Sequence, residues 1–276
     1  MKTKQKVSII ALDLDDTLLK DNLTISDYTV KILYKAAESG IYIVLCSGRA
    51  ENAILPYVRK LEISGLKTGR YIISHNGATI FDLHTRLPIY TRTVPAKILI
   101  QSYHAAKKAG FSCQVYDFST IFSPFENEWV LRDKKLSGLN LSIVEDFESF
   151  LEAGFPKMVI PGDPEKLLSL QQKLRDMFGE KAVIFTSKPY FLEVLPANTG
   201  KGEALKYLAE TVLNIPKEET MSFGDSMNDE SMIKYAAHST AMINGLDYIK
   251  KIAHHITDFS NNDDGVARFI EKYCLI

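Results

Sequence analysis

Short apolar runs, each too brief for a helix and each closing on a polar motif, constrain this chain more than any other feature. Val7-Ser-Ile-Ile-Ala-Leu12 is the first, Ile41–Cys46 the second and Tyr71–His75 the third. Runs of this length, apolar on both faces, are what a parallel sheet covered on both sides requires. Between the first two, Ser26 can cap a helix whose inner face is Val30, Leu33, Tyr34 and Ala37, with Gly40 to end it. After Ser47-Gly48-Arg49 a second helix runs to about Leu61. Strand, helix, strand, helix, strand predicts a doubly wound α/β sheet. Asn76-Gly77, between Ile72-Ile73 and Ile80-Phe81, predicts a type I′ hairpin.

The pattern then changes. Residues 84–189 carry helices at Pro95–Ala109 and Pro164–Phe178 and strands near Phe111–Tyr116, Phe155–Ile160 and Ala182–Thr186. That mixture is α+β, and the segment is long enough to be a domain. Afterwards the βα alternation resumes, with helices at Lys201–Asn214, Met227–Ala237 and Asp264–Tyr273 and strands at Met221–Phe223 and Ser239–Ile243. The expectation is a discontinuous α/β core, 1–83 and 190–276, interrupted by an inserted α+β cap domain at 84–189.

Composition narrows the partners. The formal net charge of the 276 residues is −1, so no global field draws the chain to nucleic acid or an anionic membrane. Cys46, Cys113 and Cys274 are far apart and odd in number, which argues against a disulfide framework or zinc site and for a reducing, cytoplasmic setting. Lys2, Lys4 and Lys6 ahead of Val7–Leu12 imitate a signal peptide, but the apolar run is too short and Asp13, Asp15 and Asp16 follow at once.

Ligand sites in such sheets lie beyond the carboxyl ends of the strands. There the first run delivers Asp13-Leu14-Asp15-Asp16-Thr17, and a later strand delivers Gly224-Asp225-Ser-Met-Asn228-Asp229. Turn caps explain either cluster alone. Together, Asp13, Asp15, Asp225 and Asp229 at one sheet edge need a counter-charge, and an all-oxygen donor set suits Mg²⁺. Ser47-Gly48 offers a hydroxyl and an unhindered amide to an anion. Lys201 opens a helix after Asn198-Thr-Gly, where the dipole is already positive and a cation wants an anionic partner.

Asp13-x-Asp15-x-Thr17, Ser47-Gly48, Lys201-Gly202 and Gly224-Asp225-x-x-Asn228-Asp229, in that order, resemble the haloacid dehalogenase superfamily of phosphatases. The insertion between the second and third motifs resembles the Cof-type, subfamily IIB cap. Two positions depart: Asp16 stands where Gly is frequent, and so does Ser226. The resemblance implies a Mg²⁺-dependent phosphomonoester hydrolase acting on a small phosphorylated metabolite, with a sugar phosphate as the first expectation by family analogy. It implies Asp13 as nucleophile, already ionised at neutral pH if its pKa is the ordinary ~3.9. Asp15 becomes general acid and base, with its backbone carbonyl on the metal, and Thr17 orients it. Asp225 and Asp229 complete the metal set. Lys201, Ser47, Asn228 and the Leu14 and Gly48 amides hold the phosphoryl oxygens. The inserted domain acts as a lid that sets specificity. His75, Arg49 and Trp129 read as structural.

Two other readings remain open at this stage. A phosphomutase of the phosphomannomutase type needs a basic second-phosphate pocket, for which Lys97, Lys107, Lys108, Arg132, Lys134 and Lys135 are available. A catalytically silent phosphosugar-binding regulator needs none of the catalytic set that the chain retains.

Overall fold

The computed structural model describes residues 6–275, so Lys2 and Lys4 of the leader-like segment lie outside the described residues. In chain order its strands are β1 (Ile9–Leu12), β2 (Tyr42–Cys46), β3 (Tyr71–Ser74), β4 (Thr79–Asp82), β5 (Leu87–Thr91), β6 (Gln114–Tyr116) and β7 (Thr120–Ser123). There follow β8 (Asn140–Ile143), β9 (Met158–Pro161), β10 (Ala182–Lys188), β11 (Phe191–Pro196), β12 (Thr220–Gly224), β13 (His238–Ala241) and β14 (His255–Ile256). The chain divides into two compact units: one comprises residues up to Gly48, Ile54–Ile89 and Gly200 onward, the other Arg49–Ala53 and Tyr90–Thr199.

The first unit is built on a sheet in the order β14-β13-β12-β1-β2-β3-β4-β5. Pairing is parallel from β14 to β3, and β4 runs antiparallel to β3. β1 is buried along its whole length, as its unbroken apolar run requires. From β1 the chain winds outward to β2 and β3 on one side, and it returns at β12 on the other. The β1/β12 boundary is therefore the topological switch point, where the crevice of such a sheet opens.

Helix Asp27–Glu38 is capped by Ser26, whose Oγ accepts from the Thr29 amide at 3.0 Å, and Gly40 follows it at φ +97°. Ile32, Leu33, Ala36 and Ala37 form its buried face, while Val30 and Tyr34 are only half-buried. Leu33 and Ala37 thus face the core as expected, and Val30 and Tyr34 pack against the same core at its edge. Each fully buried Ile or Leu here contributes about 1.5–3 kcal/mol of apolar burial.

Several expected elements shift. The hairpin exists, but Ser74 pairs with Thr79, so the connection is four residues rather than a two-residue I′ turn. His75, Asn76 and Gly77 all have positive φ. The helix expected over 201–214 is regular only over Lys201–Lys206 and continues as a widened turn to Val212. β11 pairs antiparallel with β10 in the second unit's sheet, so a boundary at 189/190 falls inside a hairpin.

Asp82, at the end of β4 and 1% exposed, receives Arg70 Nε at 2.9 Å and Nη2 at 2.6 Å, and the His84 amide at 2.9 Å. The Arg70 bond holds its pKa down at about 2. A carboxyl depressed below its unfolded value stabilises the fold above that value and loses the contribution as pH falls through the folded pKa. Asp82→Ala should cost about 1–3 kcal/mol at pH 7. In denaturant titrations its deficit against wild type should shrink between pH 4 and pH 2. A deficit constant over that range would contradict the assignment.

The second unit has a sheet in the order β10-β11-β9-β6-β7-β8, antiparallel except for β7/β8. Cys113, Val115, Met158 and Ile160 pack with Leu99, Ala106, Leu167 and Leu174 of helices Ala96–Lys108 and Pro164–Phe178. Tyr116, Val159 and Phe191 pack with Leu136 of helix Glu128–Ser137 in a separate cluster. In this unit Tyr116 Oη donates to buried Asp133 at 2.5 Å, and Gln114 Nε2 does so at 2.7 Å.

Candidate active site

The end of β1 leads straight into the acidic motif. The Asp13 amide donates to the Phe223 carbonyl of β12 at 3.1 Å, which extends the ladder by one step. Leu14, fully buried, follows and begins a widened turn over Leu14–Leu18. Asp16 adopts left-handed backbone (φ 60°), a conformation in which Gly is unstrained and Asp is tolerated. Ser226 has φ −132° and needs no glycine.

The crevice brings Asp13, Asp225 and Asp229 together: one carboxylate oxygen of each lies within 4.8 Å of the others. Asp13 and Asp229 are buried and Asp225 is half-buried. The Asp15 carboxylate does not join this trio, although its charge reaches Asp13. Thr17 Oγ1 donates to Asp225 Oδ1 at 3.0 Å, so its hydroxyl is directed to a candidate metal ligand. Asp229 Oδ2 accepts the amides of Asp225 and Ser226 at 3.0 and 3.1 Å, closing a reciprocal cap on the turn Met227–Asp229.

Lys201 lies at 0% exposure, with Nζ 2.5 Å from Asp13 Oδ1 and 2.6 Å from Asp229 Oδ1. A solvated surface lysine is thereby excluded. Burial alone pushes its ammonium down, but the charges of Asp13 and Asp229 outweigh it and hold the pKa above the ordinary lysine value. One ammonium does not balance three carboxylates. Burial, then the Asp229 charge, lifts Asp13 to about 7. Burial, then the charges of Asp13 and Asp229, lifts Asp225 to about 9. An already ionised Asp13 is therefore not what the protein groups alone provide. Hard oxygen donors with uncompensated negative charge fit a small divalent cation, which favours the ionised forms.

The residues expected to hold phosphate lie after β2 and after β12. Ser47, buried, donates its amide to Ile73 at 2.9 Å, which places Ser47-Gly48 at the end of β2. Asn228 has its Oδ1 on Ser226 Oγ at 2.7 Å and its Nδ2 on Asn76 Oδ1 at 3.2 Å. Sequence reasoning missed Asn76 as a neighbour of the site, because Asn-Gly is foremost a turn signal; the buried run before it was the available clue. His75 is buried in the same turn. Arg49 is half-buried and donates from Nη1 to the Leu136 carbonyl at 3.3 Å. Trp129 stacks on Tyr190 with ring centroids 6.2 Å apart, consistent with packing.

Residues 10–270 match the family model of haloacid dehalogenase-like hydrolases, and so take in all of these motifs. The chain belongs to that family. It is an enzyme, and its class of activity is that of a phosphatase. A Bacillus subtilis relative, 5-amino-6-(5-phospho-D-ribitylamino)uracil phosphatase YwtE, is 29% identical over 95% of this chain and 96% of its own. A haloacid dehalogenase-like hydrolase from Bacteroides thetaiotaomicron superposes with a TM-score of 0.88 at 32% identity, covering 97% of this chain and 99% of that one. The subclass IIB sugar phosphatase BT4131 shares the fold, with a TM-score of 0.84 at 23% identity, covering 98% of this chain and all of that one. Among the described residues no helix is long and apolar enough to cross a membrane.

Proposed function

We propose that this phosphatase hydrolyses small phosphomonoesters through an aspartyl phosphate on Asp13, with Mg²⁺ as its metal. The observation that carries the reading is Lys201 Nζ held between Asp13 and Asp229 at the switch point, beside Asp225. Asp13, Asp225 and Asp229, with the Asp15 backbone carbonyl, would hold the cation. When bound, it offsets the repulsion between carboxylate and phosphate and stabilises charge developing on the phosphoryl oxygens.

The chain's own groups then divide the work. An Asp13 oxygen attacks phosphorus as the ester P–O bond breaks, and Asp15 gives its proton to the departing alkoxide. Water next attacks the acyl phosphate, Asp15 takes up the proton, and inorganic phosphate leaves with Asp13 restored. Lys201, Ser47, Asn228 and the Leu14 and Gly48 amides hold the phosphoryl oxygens. Every group named so far recognises phosphate, so the choice among esters falls to other residues, and we assign it to the segment 84–189. A phospho-D-ribitylamino compound in a relative's name supports sugar or polyol phosphates as the substrate class.

Lys97, Lys107, Lys108, Arg132, Lys134 and Lys135 are all exposed and divide between helices Ala96–Lys108 and Glu128–Ser137. Nothing in that arrangement favours a second-phosphate pocket, and hydrolysis stands ahead of mutase chemistry. The test is phosphate release from a panel of sugar, polyol and aryl phosphates. Mg²⁺ should support turnover and a chelator should abolish it reversibly. Full turnover in chelator would overturn the metal reading, and no release from any ester with Mg²⁺ would overturn the hydrolase.

A further inference from the structure

Three loops of the site meet at one side chain. Asn76, in left-handed backbone (φ 54°, ψ 35°), is 2% exposed. Its amide donates to the Ser47 carbonyl at 3.0 Å, and its Oδ1 accepts from Asn228 Nδ2 at 3.2 Å. A Cβ built on Gly48 would stand only 2.9 Å from its Nδ2 and 3.0 Å from its Oδ1, so the backbone after Ser47 rests directly on this carboxamide. The next residue, Gly77 (φ +94°), sits so close to the helix bearing Lys201 that a Cβ there would come within 2.0 Å of the Gly200 carbonyl oxygen. A hairpin tip needs none of this. Glycine meets the backbone requirement of position 76 with less strain, and an asparagine serving only the turn has no reason to be buried between anion-facing loops.

We infer that Asn76 is a positioning residue for the phosphoryl group, acting through the Asn228 carboxamide; the inference rests on the phosphatase reading above. The Asn228 amide is tied at both ends, its Oδ1 by Ser226 Oγ and one Nδ2 hydrogen by Asn76. In this arrangement both ends of the amide are engaged, and its second N–H is left to donate in one direction. Donors fixed before the anion arrives require no reorganisation as charge develops, which is where such a group acts on rate.

The test is a double-variant cycle in the full chain: wild type, Asn76→Gly, Asn228→Ala and the pair. Inorganic phosphate binding in the presence of Mg²⁺ is read by calorimetry, and phosphomonoester hydrolysis is read in parallel. Glycine preserves the turn, so thermal stability should hold in Asn76→Gly. Its phosphate affinity and kcat/KM should each fall about tenfold, the scale of one misdirected hydrogen bond to a charged group. In the pair, the loss should be clearly smaller than the product of the single losses. Asn76→Gly within twofold of wild type, or losses that multiply fully, would overturn the inference. A wild type that binds phosphate yet releases none from esters would overturn the phosphatase reading alone, and the binding cycle would still decide Asn76. A wild type that binds no phosphate would overturn both.

Discussion

Asp13→Asn leaves a folded protein whose kcat/KM falls by about 10⁴-fold or more, the scale seen when a residue acting as nucleophile is removed. Asparagine keeps the shape and an Oδ1 acceptor for Lys201, so the ion-pair geometry has a substitute. Stability should move the other way. Asp13 is lifted to about 7 by burial and by Asp229, which means the fold holds its carboxylate at a cost. A carboxyl whose folded pKa lies above its unfolded value gives the fold a contribution present below about pH 4 and lost as pH rises toward 7. In chelator, Asp13→Asn should therefore match wild type in acid and exceed it from neutral pH upward. Mg²⁺ should raise the melting temperature of wild type more than that of the variant. Residual activity within tenfold of wild type would remove Asp13 from the chemistry. A variant less stable than wild type at pH 8 in chelator would contradict the electrostatics.

Lys201→Met combines two losses. The ammonium is completely buried and bonded to both Asp13 and Asp229, so its removal leaves these carboxylates facing each other without a counter-charge. Breaking a buried pair in this way costs about 3–5 kcal/mol. Turnover should fall about 10²–10³-fold, as when a preorganised donor to a developing oxyanion is deleted. The two losses separate with metal. Added Mg²⁺ should recover much of the stability, because it supplies charge to the same carboxylates, but not the turnover, because it does not replace a donor to the phosphoryl group. Calorimetric melts with and without Mg²⁺ beside steady-state rates would show this. A variant with near-wild-type rates would mean that Lys201 serves the fold alone.

How much of this was legible in the sequence follows from physics at particular residues. The strand-end positions of Asp13 and Ser47 were readable because each follows a strand whose burial on both faces leaves a short apolar run; Asp225 was readable from the Gly-Asp turn after Thr220–Gly224, whose run Ser222 interrupts. Lys201 was readable as a cation at a helix start, but not its complete burial, since a lysine pattern carries no signal for the carboxylates that neutralise it. Asn76 hid behind a stronger local meaning: Asn-Gly satisfies a turn so well that its side chain needed no other explanation. The bond from Thr17 to Asp225 was not legible, because Asp225 is distant in sequence and near only after β1 and β12 pair. In the second unit, β7 and β8 are four residues long, too short for periodicity to show. There Asp133, Lys157 and Glu193 are all buried, a placement that no local sequence pattern signals.

The central claim is that phosphorus becomes bonded to Asp13. A single turnover with Mg²⁺ and a reactive aryl phosphate, quenched in acid, reduced with borohydride and digested with trypsin, tests it most directly. The reagent converts an acyl phosphate to an alcohol, and trypsin releases Val7–Lys20 as one peptide. The account predicts that position 13 alone in that peptide is reduced, with substrate and Mg²⁺ both required. Rapid turnover with position 13 unreduced at every quench time, or reduction at another residue, would contradict it.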